Sequence, residues 1–195
     1  EVKTHNLEMS TETKKRKNEV PLGLYVHIPF CVRKCHYCDF TSGPLSVNAR
    51  QMYLEALQEE IRTTSWRGCS ATTVFLGGGT PSELTLAELE ELVTALGETF
   101  QIEEDAEWSI ECNPGMTSKD YFAAVGKMGF NRVSLGVQSF EDSHLKTLGR
   151  IHNAEEARAA YHQLRRTDFD NVNLDLMFAL PGQTLAKWRA DLEEA

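Results

Sequence analysis

Three clustered thiols are the first residues in this chain with types and spacing suited to chemistry. Cys31, Cys35 and Cys38 fall within eight residues of one another in "HIPFCVRKCHYCDF" (27–40), while Cys69 and Cys112 stand apart. The C-x3-C-x2-C spacing sets soft thiolate ligands on a loop too tight for a regular helix to bury, and soft sulfur selects zinc, copper or iron–sulfur clusters. A structural zinc needs a fourth ligand. His36 lies inside the loop, wedged between two thiols, and neither Cys69 nor Cys112 belongs to a second C-x2-C pair. Three thiolates on a four-iron cluster would leave one iron without a protein ligand, whereas most such clusters are held by four cysteines. An open coordination position marks a site that binds something exchangeable, as in catalytic zinc. The alternative is that these are simply free or buried cysteines acting as small hydrophobes.

The thiols need a scaffold, and the pattern after about residue 22 supplies one. Apolar, β-branched runs at 24–30, 72–79, 107–112, 132–139 and 171–180 predict strands. Amphipathic stretches at 46–64, 85–99, 117–129 and 154–165 predict helices, and "TLAKWRADLEEA" opens another at the end. Thr85 with Glu88 three residues later reads as a capping box. Such alternation implies parallel strands joined by right-handed crossovers, either an open doubly wound sheet or a barrel. Five strand–helix units are visible, so the expectation is an α/β fold truncated after the fifth unit. Residues 1–21 are expected to be a polar, disordered lead-in, and 22–195 the domain.

Ligands of such sheets bind at the carboxyl ends of the strands. The first strand there runs into the cysteine loop, and the next three end in "GGGTP", "ECNP" and "GVQSF"; the fifth carries Asp175 before "ALPG". Five consecutive strand ends with polar or glycine-rich character exceed what packing requires.

Composition narrows the function classes. A formal net charge of -9 argues against phosphate-backbone binding, so no nucleic-acid partner is expected; the basic run Lys14–Lys17 reads as a solvated tail. No apolar run approaches the ~20 residues a transmembrane helix needs. The opening residues lack the apolar core of a signal peptide. The expected location is therefore cytoplasmic, where metal binding or catalysis outranks disulfides.

"YVHIPFCVRKCHYC", "FLGGGTPS", "ECNP", "RVSLGVQSF", "LGRIHN" and "NLDLMFALPGQT" together resemble the radical S-adenosylmethionine superfamily, in the branch of oxygen-independent coproporphyrinogen III oxidase and its relatives. The resemblance covers about residues 22–195 in order. It implies a parallel (β/α) partial barrel of about six units. It also implies a 4Fe–4S cluster on Cys31, Cys35 and Cys38, with S-adenosylmethionine on the open iron. Tyr37 matches the aromatic that shields the cluster, and Tyr25 matches a tyrosine contacting S-adenosylmethionine. Gly77, Gly78, Gly79 and Thr80 match the glycine-rich segment whose backbone holds the ammonium end of the methionine moiety. Glu111 ends the third strand, where a carboxylate accepts hydrogen bonds from a ribose or an amine. Gln138, Arg150 and Asp175 match further S-adenosylmethionine contacts. On the residues alone, Tyr25 and His27 share a strand face and read equally well as interior side chains. Arg150 reads as a surface salt bridge, and Asp175 as a carboxylate enclosed in an apolar strand.

Coproporphyrinogen oxidases continue the motif to a further cysteine two residues on, and here that place is Phe40. This substitution resembles the HemW-type haem chaperones. They imply haem, a haem-acceptor protein and an electron donor as partners, with a haem site in a part this chain lacks. The alternative is the radical decarboxylation of coproporphyrinogen III. Phenylalanine neither ligates a metal nor moves a proton, so oxidase activity is disfavoured. Coproporphyrinogen III incubated anaerobically with the complete reconstituted protein is expected to release no carbon dioxide; stoichiometric release would overturn the carrier reading.

Overall fold

The computed structural model describes residues 20–195. The expected lead-in and its basic run lie outside these residues, apart from Val20 and Pro21. Five strands, β1 (Leu22–Ile28), β2 (Ser70–Gly78), β3 (Gln101–Cys112), β4 (Arg132–Gln138) and β5 (Asn171–Leu176), form one sheet in the order β1-β2-β3-β4-β5. Every neighbouring pair is parallel. Six helices connect and follow them: α1 (Val47–Thr63), α2 (Leu86–Thr99), α3 (Lys119–Lys127), α4 (Asp142–Leu148), α5 (Ala154–Leu164) and α6 (Leu185–Glu194). A doubly wound sheet reverses its strand order at one point. Here each crossover steps the same way, which resolves the two architectures in favour of the partial barrel.

Parallel sheets covered on both faces are built from continuous apolar runs. These strands alternate instead. Val26, Ile28, Val74, Leu76, Ile110, Val133 and Leu135 enter one core with Leu54 and Ile61 of α1, Leu89, Leu92 and Leu96 of α2, Phe122 of α3 and Leu164 of α5. The intervening positions, Tyr25, His27, Phe75, Glu111, Ser134 and Asp175, belong to the opposite face, which no helix of this core covers. The alternation thus sends every helix to one side and leaves a polar surface on the other.

Local signals set the helix starts. Ser46 caps α1 by accepting the Ala49 N–H, and Thr85 and Glu88 form a reciprocal capping box on α2, as the sequence predicts. Arg50 of α1 ties the two helices together. It donates to Glu88 at 2.7 Å and to the Glu83 carbonyl at 2.6 Å, and its guanidinium lies 4.8 Å above the Phe30 ring.

Two elements were not legible in the pattern. β3 begins at Gln101, because its first half is mostly exposed and acidic and offers no alternation to detect. It joins β2 through an irregularity between Ala71 and Thr73. The short helix α4 spans only seven residues and ends at Gly149, whose φ of 72° gives the left-handed termination that glycine favours.

The ends of β1 and β2 are fastened by Gly79 N–H to Ile28 O (2.7 Å) and Thr80 N–H to Phe30 O (2.7 Å). A Cβ on Gly79 would lie 2.5 Å from the Phe30 oxygen and 2.9 Å from that of Ile28, both immobile backbone atoms. Gly79→Ala is therefore expected to lower stability by about 2 kcal/mol. Gly97→Ala, exposed in the last turn of α2 with nothing within 4 Å of the new methyl, should raise it by about 0.5 kcal/mol. Urea midpoints of the two variants check the contrast.

Candidate functional site

A cleft opens at the carboxyl ends of the strands. The three loop cysteines line it together with Gly78, Gly79, Thr80, Glu111, Gln138, Arg150 and Asp175, residues otherwise separated by up to 144 positions in the chain (175 − 31). All three thiols are free and half-buried. Cys31 Sγ lies 3.6 Å from Thr80 Oγ1, Cys35 Sγ 3.6 Å from Arg150 Nη1, and Cys38 Sγ 3.9 Å from Ser42 Oγ. Among the described residues, no three His, Cys, Asp or Glu side chains converge on a single ion-sized point. Cys69 and Cys112 are buried outside the loop; Cys112 nevertheless lines the same cleft, and burial pushes its thiol up.

The loop is anchored from below by a residue that the sequence marks only as an interior side chain. His27 Nε2 lies 2.8 Å from the Thr41 carbonyl and Nδ1 lies 3.0 Å from the Tyr25 hydroxyl. A carbonyl only accepts, so Nε2 carries the proton and Nδ1 accepts from the phenol. His27 thereby pins the chain just beyond Cys38. Gly78 makes room for it, since a Cβ there would meet the imidazole at 2.5 Å. The glycines at β2 thus yield space to the protein's own loop and histidine.

Tyr25 is 60% exposed, stacks on Phe75 at 6.1 Å between centroids, and stands outside the residues lining the cleft. Tyr37 lines it, with its hydroxyl 3.5 Å from Arg150 Nη1; burial raises its phenol. Glu111 is not a solvated strand end. It accepts the Gly78 N–H at 3.1 Å, and burial raises its carboxyl, opposed by that hydrogen bond and reinforced by the Asp175 charge. Asp175 is partnered rather than enclosed in apolar surroundings: Ser134 Oγ donates at 3.0 Å and Asn173 Nδ2 at 2.7 Å.

Arg150 is no surface salt bridge. Its Nη2 donates to the Gly136 carbonyl at 2.8 Å, Nη1 reaches Cys35 and Tyr37, and Nε is buried with no hydrogen-bond partner among the described residues. A buried, unmatched guanidinium donor calls for an acceptor. Gln138 holds a φ of 69°, uncommon for a side-chain-bearing residue, where β4 loses register with β5. Such strain clusters at functional sites. Phe40 sits at the cleft mouth, 67% exposed. His152, the histidine of "LGRIHN", had no structural role assigned from the sequence. It is buried, with Nε2 3.1 Å from the Val137 carbonyl and Nδ1 3.1 Å from Asn113 Oδ1, and so braces the ends of β3 and β4. Its partners lie 15 and 39 positions away, beyond any local motif.

A one-faced parallel sheet with a three-cysteine loop at its carboxyl edge defines the class: the chain belongs to the Radical SAM superfamily, whose family model it matches over residues 25–195. More particularly, it is 37% identical over 174 residues to the haem chaperone HemW of Lactococcus lactis, covering 89% of this chain and 45% of that protein. It is 39% identical over 180 residues to HemW of Escherichia coli, covering 90% and 47%. The chain thus spans a little under half the length of these curated relatives. Among solved structures, coproporphyrinogen III oxidase HemN of Escherichia coli, a radical SAM enzyme, superposes with a TM-score of 0.82 at 34% identity, over 89% of this chain and 41% of that one. The anSMEcpe structure with bound AdoMet shares the fold, with a TM-score of 0.52 at 17% identity over 79% of this chain and 43% of that one.

The donor set fits a cluster and its ligand: three free soft thiols share a cleft with an unmatched Arg150 donor and two carboxylates. Among the described residues, no helix is long and apolar enough to cross a membrane.

His152 gives the site a pH dependence. Burial, aided by the Arg150 charge, lowers its pKa from 6.5 to about 4, so the folded state binds fewer protons than the unfolded chain between those values. This contribution is complete above pH 6.5 and is lost as pH falls toward about 4, on the order of 3 kcal/mol in all. His152→Gln removes the titration, so its melting temperature should fall less steeply than that of the wild type between pH 6.5 and pH 4. Parallel slopes would contradict the assignment.

Proposed function

We propose that this chain binds a 4Fe–4S cluster through Cys31, Cys35 and Cys38 and S-adenosylmethionine beside it, as part of a protein that binds haem and transfers it to an acceptor protein. The observation that carries this reading is the meeting in one cleft of three free thiols and the Arg150 guanidinium, whose Nε has no partner among the described residues. Cys31, Cys35 and Cys38 would hold the cluster as thiolates, leaving one position for an exchangeable ligand.

The charges of the cleft complement S-adenosylmethionine. Its ammonium and sulfonium groups would meet Glu111 and Asp175, and its carboxylate would meet Arg150. Gln138 and the Gly78–Thr80 backbone complete the pocket, and Tyr37 covers the cluster from solvent. Tyr25, held by His27, would contact the ligand from the polar face of the sheet. When bound, a reduced cluster of this kind supplies one electron to S-adenosylmethionine. The haem role rests on the similarity to HemW proteins. It includes action in the cytoplasm with an electron donor, a link to porphyrin metabolism, and a haem site carried by the complete protein.

A second reading is coproporphyrinogen III oxidation, favoured by the superposition on HemN. Phe40 stands against it, for the reasons of valence and proton transfer given above.

After anaerobic reconstitution the complete protein is expected to be brown, with a paramagnetic signal on reduction that shifts when S-adenosylmethionine is added. Cys31→Ala, Cys35→Ala and Cys38→Ala should each abolish that signal. A colourless protein holding one tight zinc would rule the cluster out. Titration of the complete protein with haem, followed by transfer to an apo-acceptor, tests the carrier role; no haem uptake would remove it.

A further inference from the structure

The residues between the cysteines make a second set of contacts, for which the cluster reading has no use. An α-helix leaves its last carbonyls without partners inside the helix. At the end of α4, four consecutive carbonyls, 147 to 150, are all satisfied by the cysteine loop. His36 Nδ1 lies 3.0 Å from Thr147 O, and the His36 N–H donates to Leu148 O at 2.9 Å. Arg33 Nη2 donates to Gly149 O at 2.7 Å and to Arg150 O at 2.8 Å. Because Thr147 O only accepts, His36 Nδ1 carries the proton. The negative end of the helix adds attraction for the guanidinium. Gly149 lets the loop close in, since a Cβ there would lie 3.0 Å from the His36 ring.

The clasp ends where the site begins. Arg150 is the last residue of the clasped turn, and its Nη1 lies 3.6 Å from Cys35 Sγ, the thiol between Arg33 and His36 in sequence. We propose that Arg33 and His36 are positioning residues: they clasp the cysteine loop to the end of α4 and so set the distance between the cluster thiols and Arg150. The proposal rests on the reading of Cys31, Cys35 and Cys38 as cluster ligands. It adds that the loop is held by the protein before any cluster is present. It also adds that the thiols and Arg150 move as one unit.

The test uses the complete protein, apo and anaerobically reconstituted, with Arg33→Met, His36→Leu and Arg33→Lys, and with Arg158→Gln as a control at a remote surface ion pair. In the apo protein, hydrogen exchange at the His36 amide should accelerate about tenfold in Arg33→Met, the factor expected for loss of a hydrogen bond from a charged donor. In the reconstituted protein, Arg33→Met and His36→Leu should each lose iron to a chelator about tenfold faster. They should also need more S-adenosylmethionine to shift the paramagnetic signal, while far-UV circular dichroism is unchanged. Arg33→Lys, which keeps the charge and one donor, should fall between, and it carries the comparison if Arg33→Met does not fold. Wild-type exchange, iron release and signal shift in these variants would overturn the clasp, as would equal effects in Arg158→Gln. Failure of the wild type to take up a cluster would sink the proposed function instead, and the apo exchange experiment would still decide the clasp.

Discussion

The closest backbone approach in the site, where the glycine end of β2 meets the carbonyls closing β1, is the constraint on which the rest depends. The Gly79 and Thr80 amides reach Ile28 and Phe30 at 2.7 Å, a spacing that leaves no volume for a side chain at position 79. Through that contact the loop after β1 is laid across the end of β2, and Cys31 comes within reach of Thr80. The remaining supports act on the same loop from other directions. His27 holds its far end from the polar face, and the turn after α4 holds its middle. A loop of about a dozen residues with this many fixed points has given up its conformational entropy to the fold in advance.

The sheet supports this arrangement through its two unlike faces. Its apolar face packs on the helices, so the carboxyl ends of all five strands emerge along one edge, and the opposite face carries the polar side chains that a cofactor cleft needs. Charges in the cleft are compensated locally. Asp175 rests on Ser134 and Asn173, and Glu111 on the Gly78 amide. Arg150 keeps one buried donor unmatched. A buried donor without a partner bears a desolvation cost. Strain at Gln138, in the same cleft, is of the same kind: a local cost tolerated because the surrounding sheet overdetermines the backbone.

The cysteines were legible by their spacing, the glycine-rich segment, Glu111 and Asp175 as polar or glycine-rich departures at or near strand ends, and Gln138 through the family resemblance. Phe40 was informative as a departure from a motif. Tyr25 was legible as a residue, but its position, exposed and outside the cleft lining, was not. The hydrogen bonds of Arg150 to Gly136 and Cys35, and of Asp175 to Ser134, were not legible, since those partners are remote in the chain. Helix α4 and the first half of β3 carried too little amphipathic signal to be seen, the former for brevity and the latter for exposure.

By itself, the sequence determined the alternation of strands and helices and the tight spacing of the three loop thiols. Both are properties of spacing over a few residues, where backbone periodicity acts directly. Tertiary structure alone decided the direction in which the strands step, the roles of His27 and His152, and the clasp of Arg33 and His36 on carbonyls 111 to 117 positions away. Those interactions pair a side chain with backbone groups that any sequence possesses. The partner leaves no mark in its own residue type, and only the folded chain brings the two together.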